Sequence, residues 1–195
     1  MATSNGRTGR AALAGALLLC VLAQSVPAAC AAARAFPAPV QDEAVDAGVV
    51  PGEARNPRLV LDLETEKTVV IELFADEAPI TVERIMELAD EGFYDGSEFH
   101  RVESWLVQAG KDHFDEHAPI EGEMFSQDFK HERGMVGMAR LVDDYDSGAT
   151  QFYIMKEHKA VLNGEYTIFG CVVEGMDCVM GIEKGCKIVS ARIER

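Results

Sequence analysis

Arg101 and Gln108 are the residues of this 195-residue chain whose types and surroundings point most directly to chemistry. They sit in Phe99-His100-Arg101-Val102 and Trp105-Leu106-Val107-Gln108-Ala109-Gly110, two apolar, β-prone runs broken by Glu103-Ser104. Read by period, these are two short strands with a bend between them. A guanidinium held against apolar surface is costly, so Arg101 needs either an acidic partner in a buried ion pair or a task that a fixed cation performs. Other chemistries have less behind them. No serine or cysteine stands with histidine in an arrangement that gives triad logic. His113 and His117 lie four apart beside Asp112, Asp115 and Glu116, but Pro119 opposes a helix there and no third ligand is fixed. A solvated loop without metal is the expectation for that segment.

The elements that must position Arg101 and Gln108 begin at Arg58. Leu59, Leu61 and Leu63 alternate with Val60 and Asp62, the polar residues 64–67 make a turn, and residues 69–74 alternate again, which predicts a hairpin. Ala78-Pro79-Ile80-Thr81 opens a helix with proline in its first turn, and Val82, Ile85, Met86 and Ala89 give it an apolar face. Gly92 is placed to end that helix in a left-handed conformation. Residues 112–123 are polar and acidic, and residues 124–133 continue as a surface segment containing Phe125 and Phe129. Residues 135–139, 151–155, 167–173 and 187–193 read as four more strands, with a short helix over about 176–183. Eight strands and two helices without βαβ alternation predict a mainly β domain, an antiparallel barrel.

Composition narrows the partners. The chain carries 33 acidic and 18 basic residues, a net charge of -15. Its first acid is Asp42, and removing the three arginines that precede it leaves 33 acids against 15 bases. Such a body repels phosphate backbones and anionic surfaces, so no nucleic acid partner is expected. Residues 1–33 read as a targeting segment: Arg7 and Arg10 precede an apolar run from Ala11 to Ala23, and small residues follow. The run is short of the roughly 20 residues a spanning helix needs, so no stable membrane span is expected after cleavage. The secretory pathway is the expected destination, the endoplasmic reticulum lumen or the exterior. An organelle lumen reached by a transit peptide is the alternative. Residues 34–57, rich in proline, read as a flexible linker, and residues 58–195 as the folded domain. Of the five cysteines, Cys171, Cys178 and Cys186 fall in that domain, an odd number that leaves at least one thiol unpaired within the chain.

Six collinear blocks give the domain a family resemblance. They are Ala78-Pro79-Ile80-Thr81-Val82-Glu83, Gly92-Phe93-Tyr94-Asp95-Gly96-Ser97-Glu98-Phe99-His100-Arg101-Val102, Val107-Gln108-Ala109-Gly110, Gly137-Met138-Ala139-Arg140, Thr150-Gln151-Phe152-Tyr153-Ile154 and Leu162-Asn163-Gly164-Glu165-Tyr166-Thr167-Ile168-Phe169-Gly170. From Leu59 to Ile193 the chain resembles the cyclophilin family of peptidyl-prolyl cis-trans isomerases. The resemblance implies a closed eight-stranded barrel capped by two helices. It implies catalysis by Arg101 acting on a twisted imide, with Gln108 binding substrate backbone and positioning the arginine. It further implies a proline pocket walled by Trp105, Leu106, Tyr153, Leu162 and Tyr166, with Ala139 meeting the residue before the proline. The partners implied are proline-containing polypeptides, bound by a monomer that needs no cofactor.

The chain also departs from the family pattern. The segment from Arg101 to Gln108 is one residue shorter than usual and lacks its proline, and Ala109 replaces a glycine. Acidic residues 111–123 stand in place of a glycine-rich loop, and Val161 stands where tryptophan is frequent, which weakens the expected binding of cyclosporin. Two readings follow: an active isomerase, or a proline-peptide binding or chaperone module with weak turnover.

Overall fold

The computed structural model describes residues 56–111 and 117–195. The targeting segment predicted over 1–33, all but the end of the predicted linker, and His113 with its acidic neighbours lie outside the described residues. At the linker's end, the Asn56 amide donates to Glu72 and the Leu73 N–H donates to the Pro57 carbonyl, so the chain is already bonded to the sheet at those two residues.

Among the described residues eight strands carry the fold: β1 (Arg58–Leu63), β2 (Thr68–Leu73), β3 (Arg101–Val102), β4 (Leu106–Ala109), β5 (Met135–Met138), β6 (Phe152–Met155), β7 (Ile168–Glu174) and β8 (Ile188–Glu194). All pair antiparallel in one sheet of order β3-β4-β6-β5-β7-β2-β1-β8. The closed barrel expected from the sequence is corrected here to an open, curled sheet, with β3 and β8 as its two ends. The reason is length: β3 has only two residues, both of them paired with β4, and it forms no ladder with β8. The chain ahead of β3 stitches the seam instead. Glu98 and Lys187 form an isolated bridge, Ile188 N–H donates to the Ser97 carbonyl at 2.8 Å, and Phe99 N–H donates to the Cys186 carbonyl at 2.9 Å.

Helix α1 (Pro79–Asp90) lies against the sheet through Val82, Ile85, Leu88 and Ala89, four residues at helical spacing that are all buried. Its C-terminus closes as the sequence predicts. Gly92 adopts φ +69°, its N–H donates to Ala89 and that of Phe93 to Leu88, the paired bonds of a Schellman motif. Its N-terminus is closed from far along the chain. The Glu123 carboxylate accepts from the N–H groups of Ile80 at 3.0 Å and Thr81 at 2.9 Å and from the Thr81 hydroxyl at 2.6 Å. Helix α2 is shorter than expected, Met176–Met180, because the chain turns at Gly181. The segment 124–133, expected on the surface, is partly interior: Met124 and His131 are buried, Phe129 packs on the sheet, and Phe125 alone of these stands out into solvent.

The two-residue period of the strands sorts the apolar side chains onto two faces. Val107, Ala109, Val136, Met138, Phe152, Ile154 and Phe169 join α1 in the main core. Leu106, Met135, Tyr153, Met155 and Ile168, from the same four strands, form a second apolar cluster on the opposite face. An antiparallel sheet ordinarily leaves that second face polar and solvated. An apolar outer face on β4, β6, β5 and β7 is therefore the feature of the fold that needs a functional explanation.

Candidate active site

The shortened segment between Arg101 and Gln108 folds as a tight hairpin. Arg101 pairs with Gln108 and Val102 with Val107, and the Glu103 N–H donates to the Leu106 carbonyl at 2.8 Å. Only Ser104 and Trp105 remain for the loop, the length that joins antiparallel strands most directly. Losing one residue thus keeps Arg101 and Gln108 face to face across the ladder. The loop is pinned from outside, because the N–H groups of Lys156 and Glu157 donate to the Trp105 carbonyl at 2.8 and 3.3 Å.

Arg101 is not the buried cation that its apolar neighbours suggest. Its side chain is 45% exposed, so the cost of burying its charge is largely avoided. The guanidinium donates to Gln108 Oε1 at 3.4 Å, long for a charge-assisted bond, and lies 3.5 Å from Glu103 Oε1 and 5.4 Å from the Trp105 ring centre. The exposed Glu103 pair contributes little to stability. Lys159 reaches the same indole, its Nζ 5.6 Å from the ring centre. Gln108 in turn donates through Nε2 to Gln151 Oε1 at 2.8 Å, so one polar row runs from Arg101 through Gln108 to Gln151.

The five residues expected to wall a pocket, and Ala139 expected beside it, gather at the outer apolar cluster. Leu106 and Tyr153 are buried members of it, and Trp105, Ala139, Leu162 and Tyr166 are half-buried side chains packed against it. Tyr153 also faces Gln108 in the ladder between β4 and β6. Leu106 and Tyr153 therefore form a floor, and the other four a rim. Beside the rim is a recess of about 280 Å³ lined by His100, Ala139, Arg140, Leu141, Ser147, Ala149, Thr150 and Gln151, of which Ala139 alone belongs to the expected pocket set.

Two arrangements under this face were not foreseen. His131, 1% exposed, is bonded on both sides: Nε2 lies 2.8 Å from the Tyr153 hydroxyl, and Nδ1 lies 3.2 Å from Asn163 Oδ1. Asn163 Oδ1 also accepts from the His131 backbone N–H at 2.7 Å, which identifies that atom as the oxygen. Nδ1 must then donate, leaving Nε2 to accept from Tyr153. Burial holds the imidazole pKa below its ordinary value, although the Asn163 bond opposes this. Burial likewise pushes the Tyr153 phenol well up, so both groups are neutral at neutral pH. The second arrangement is Arg140, whose side chain is 4% exposed. It donates to the carbonyls of Glu165, Leu141 and Val142 at 2.9, 2.7 and 2.7 Å, and its guanidinium carbon lies 4.2 and 4.5 Å from the ring centres of Tyr145 and Tyr166. A charge so far from water is kept by these partners, which hold Tyr166 at the rim. A histidine ahead of a strand and an arginine after one carry no period signal, and their partners are distant in sequence.

The remaining reactive groups stand apart from this face or are quiet. Cys171, Cys178 and Cys186 are free thiols. Burial raises all three pKa values, Cys171 to about 11, which leaves each protonated and poorly nucleophilic. His113 lies outside the described residues, and the His117 ring packs edge-on against Phe93 at 4.9 Å. No helix among the described residues is long and apolar enough to cross a membrane.

Residues 60–194 match the family model of cyclophilin type peptidyl-prolyl cis-trans isomerase/CLD. Peptidyl-prolyl cis-trans isomerase B of Bacillus subtilis is 34% identical over 137 residues, 68% of this chain and 94% of that protein. A peptidyl-prolyl cis-trans isomerase of Helicobacter pylori is 33% identical over 131 residues, 63% of this chain and 79% of that protein. Among solved structures, cyclophilin AquaCyp293 from Hirschia baltica superposes with a TM-score of 0.61 at 21% identity, covering 69% of this chain and 72% of that chain. A Cryptosporidium parvum cyclophilin type peptidyl-prolyl cis-trans isomerase, crystallised in the presence of the dipeptide Ala-Pro, gives 0.57 at 20% identity, covering 70% of this chain and 96% of that chain. With the family model spanning most of the chain and an identity of 34% along almost the whole of a relative, this chain belongs to the cyclophilin-type peptidyl-prolyl cis-trans isomerase family.

Proposed function

We propose that the domain accelerates cis-trans rotation of X-Pro bonds in polypeptides, with Arg101 stabilising the twisted imide and the outer apolar face receiving the proline ring. The observation that carries this reading is the cross-strand pair of Arg101 and Gln108 at the edge of that face. Rotation about a peptide bond meets a barrier of about 18–20 kcal/mol, because twisting removes the resonance between nitrogen and carbonyl. In the twisted state the prolyl nitrogen regains a lone pair. A guanidinium donating to it favours the transition state over either planar state, which is what catalysis requires. Arg101 is exposed enough to reach a bound peptide, and Gln108, anchored on Gln151, offers its guanidinium an acceptor on the side of that face. Trp105, Leu162 and Tyr166 at the rim would cover the pyrrolidine and keep water from the rotating bond. The chain's own residues suffice for this chemistry, with no covalent intermediate.

An isomerisation assay on a proline peptide tests the reading. Arg101→Ala should lower kcat/KM about a hundredfold or more, the scale of losing one donor to a developing charge. Equal rates for the two proteins would overturn it. A second reading, proline-peptide binding with weak turnover, is favoured by Glu103, whose carboxylate competes for the Arg101 guanidinium. Peptide binding by the unaltered protein without any rise in exchange rate would select that reading. We also propose a secretory-pathway location, supported by the arginines and apolar run of residues 1–33. Recovery of the tagged full chain from the cytosol would contradict it.

A further inference from the structure

His131 is a buried residue with four hydrogen bonds to three residues, two from its ring and two from its backbone, and the proposed chemistry has no use for it as a reactant. Its Nε2 accepts from Tyr153, the floor of the apolar cluster. Its Nδ1–H and its backbone N–H both donate to the Asn163 side chain, directly after Leu162 at the rim. Its carbonyl accepts from the Lys159 N–H at 3.0 Å, so the 3-10 turn Ala160–Leu162 is held at both ends by this one residue. The rings are ordered as well: His131 stacks on Tyr153 at 6.0 Å and 21°, and Tyr166 meets both edge-on at 6.4 and 5.9 Å.

We propose that His131 is a positioning residue: its neutral, Nδ1-protonated imidazole holds Tyr153 and the Leu162–Asn163 wall in the arrangement that receives a proline peptide, and protonating it weakens that capture. The inference rests on the reading that this face binds proline peptides. A proton on Nε2 leaves His131 with donors only. The Tyr153 hydroxyl must then reverse to accept, and its own hydrogen is turned away from the one partner it has among the described residues. A buried hydroxyl left without an acceptor is unfavourable, and the ring that carries this one is the floor of the apolar cluster, so protonation sets the floor against its present position.

The charged and titratable groups around His131 do not remove this coupling. Tyr153 and Tyr166 are the titratable groups against the ring. His158, paired with Glu132 at 3.1 Å on the exposed side, adds repulsion when charged. The Lys159 ammonium lies over Trp105, and Arg140 acts on Tyr153 through its charge. Lys130 and Glu132 flank His131 in the chain and are of opposite sign.

The test uses the full chain and a blocked tetrapeptide with a central Ala-Pro. Peptide affinity is titrated from pH 8 to pH 5, and the His131 ring is followed by nitrogen NMR with and without peptide. The expected results are an Nδ1–H tautomer at neutral pH, about fivefold weaker binding when the ring is protonated, and a fall of its titration midpoint by the same factor when peptide is bound. Tyr153→Phe, which cuts the link without removing the ring stack, should leave the His131 midpoint unmoved by peptide. His131→Gln should flatten the pH profile and identify the ring signal. Peptide binding with an unmoved His131 midpoint in the unaltered protein would overturn this inference alone. Absence of peptide binding at every pH would overturn the reading beneath it as well.

Discussion

Gly137 and Tyr153 stand opposite each other in the ladder between β5 and β6, and the glycine is what lets the tyrosine lie down. A Cβ built on Gly137 would run into the Tyr153 hydroxyl and the ring carbon bearing it. Gly137→Ala must therefore lift the ring and break its bond to His131 Nε2. Overpacking costs about 1–3 kcal/mol, and a buried polar group left without a partner about as much. A fall in unfolding free energy of about 2 kcal/mol or more is expected by urea titration. Tyr153→Phe should fail to rescue it, because the clash includes the ring itself. A full rescue would place the conflict at the hydroxyl alone. Part of this was legible in the sequence, since a glycine inside a strand pattern marks a close approach. What approaches it was not, because Tyr153 and His131 meet Gly137 only when β5, β6 and the segment before β5 are brought together.

At the scale of elements, the acidic stretch ahead of η1 (Met124–Ser126) is more than a solvated loop. Glu123 caps α1 with charge at the positive end of the helix dipole, and its own N–H donates to the Thr167 hydroxyl at 2.8 Å. Gln127 pairs with both backbone groups of Ile168, as a strand neighbour would. Together they lash helix, loop and β7. Glu123→Ala should lower stability by about 1 kcal/mol, with the range for lost caps reaching about 2. Glu123→Gln, which keeps one acceptor, should lose less. Thermal or urea unfolding checks the order, and equal losses for both would mean that the charge is the whole effect. The helix itself was readable from Pro79, the spacing of Val82, Ile85 and Ala89, and Gly92. Its cap was not, because the side chain that supplies it lies 42 residues away.

For the whole domain, the described titrating groups set how stability falls with acid. His131 has a folded pKa below its unfolded value of about 6.5, so below that pH the unfolded chain binds more protons than the folded one. Its contribution is fully present above about pH 6.5 and is lost as the pH falls toward the depressed folded value. Asp62 follows at lower pH. Its carboxyl is held below the ordinary carboxylate range chiefly by the Thr68 hydroxyl, with Ser190 and Arg192 assisting, and its exposure makes the effect small. The midpoint of thermal unfolding should thus be level near pH 7–8 and decline from about pH 6.5 downward. His131→Gln should remove the first part of that decline. A midpoint level down to pH 5 in the unaltered protein would contradict the assignment.

The sequence by itself determined the elements and the family. Alternation in the strands, helical spacing after Pro79 and six motif blocks are local patterns, carried by neighbouring residues alone. It also named the residues that gather at the outer face. Only the tertiary structure decided that the sheet stays open at β3 and β8, that the shortened segment becomes a two-residue hairpin loop with Arg101 exposed, and that His131, Asn163 and Arg140 brace the face from beneath. Those outcomes depend on strand lengths that must match across a seam and on polar groups that must find partners once buried. Both are settled by which distant segments meet, and no period along the chain encodes that.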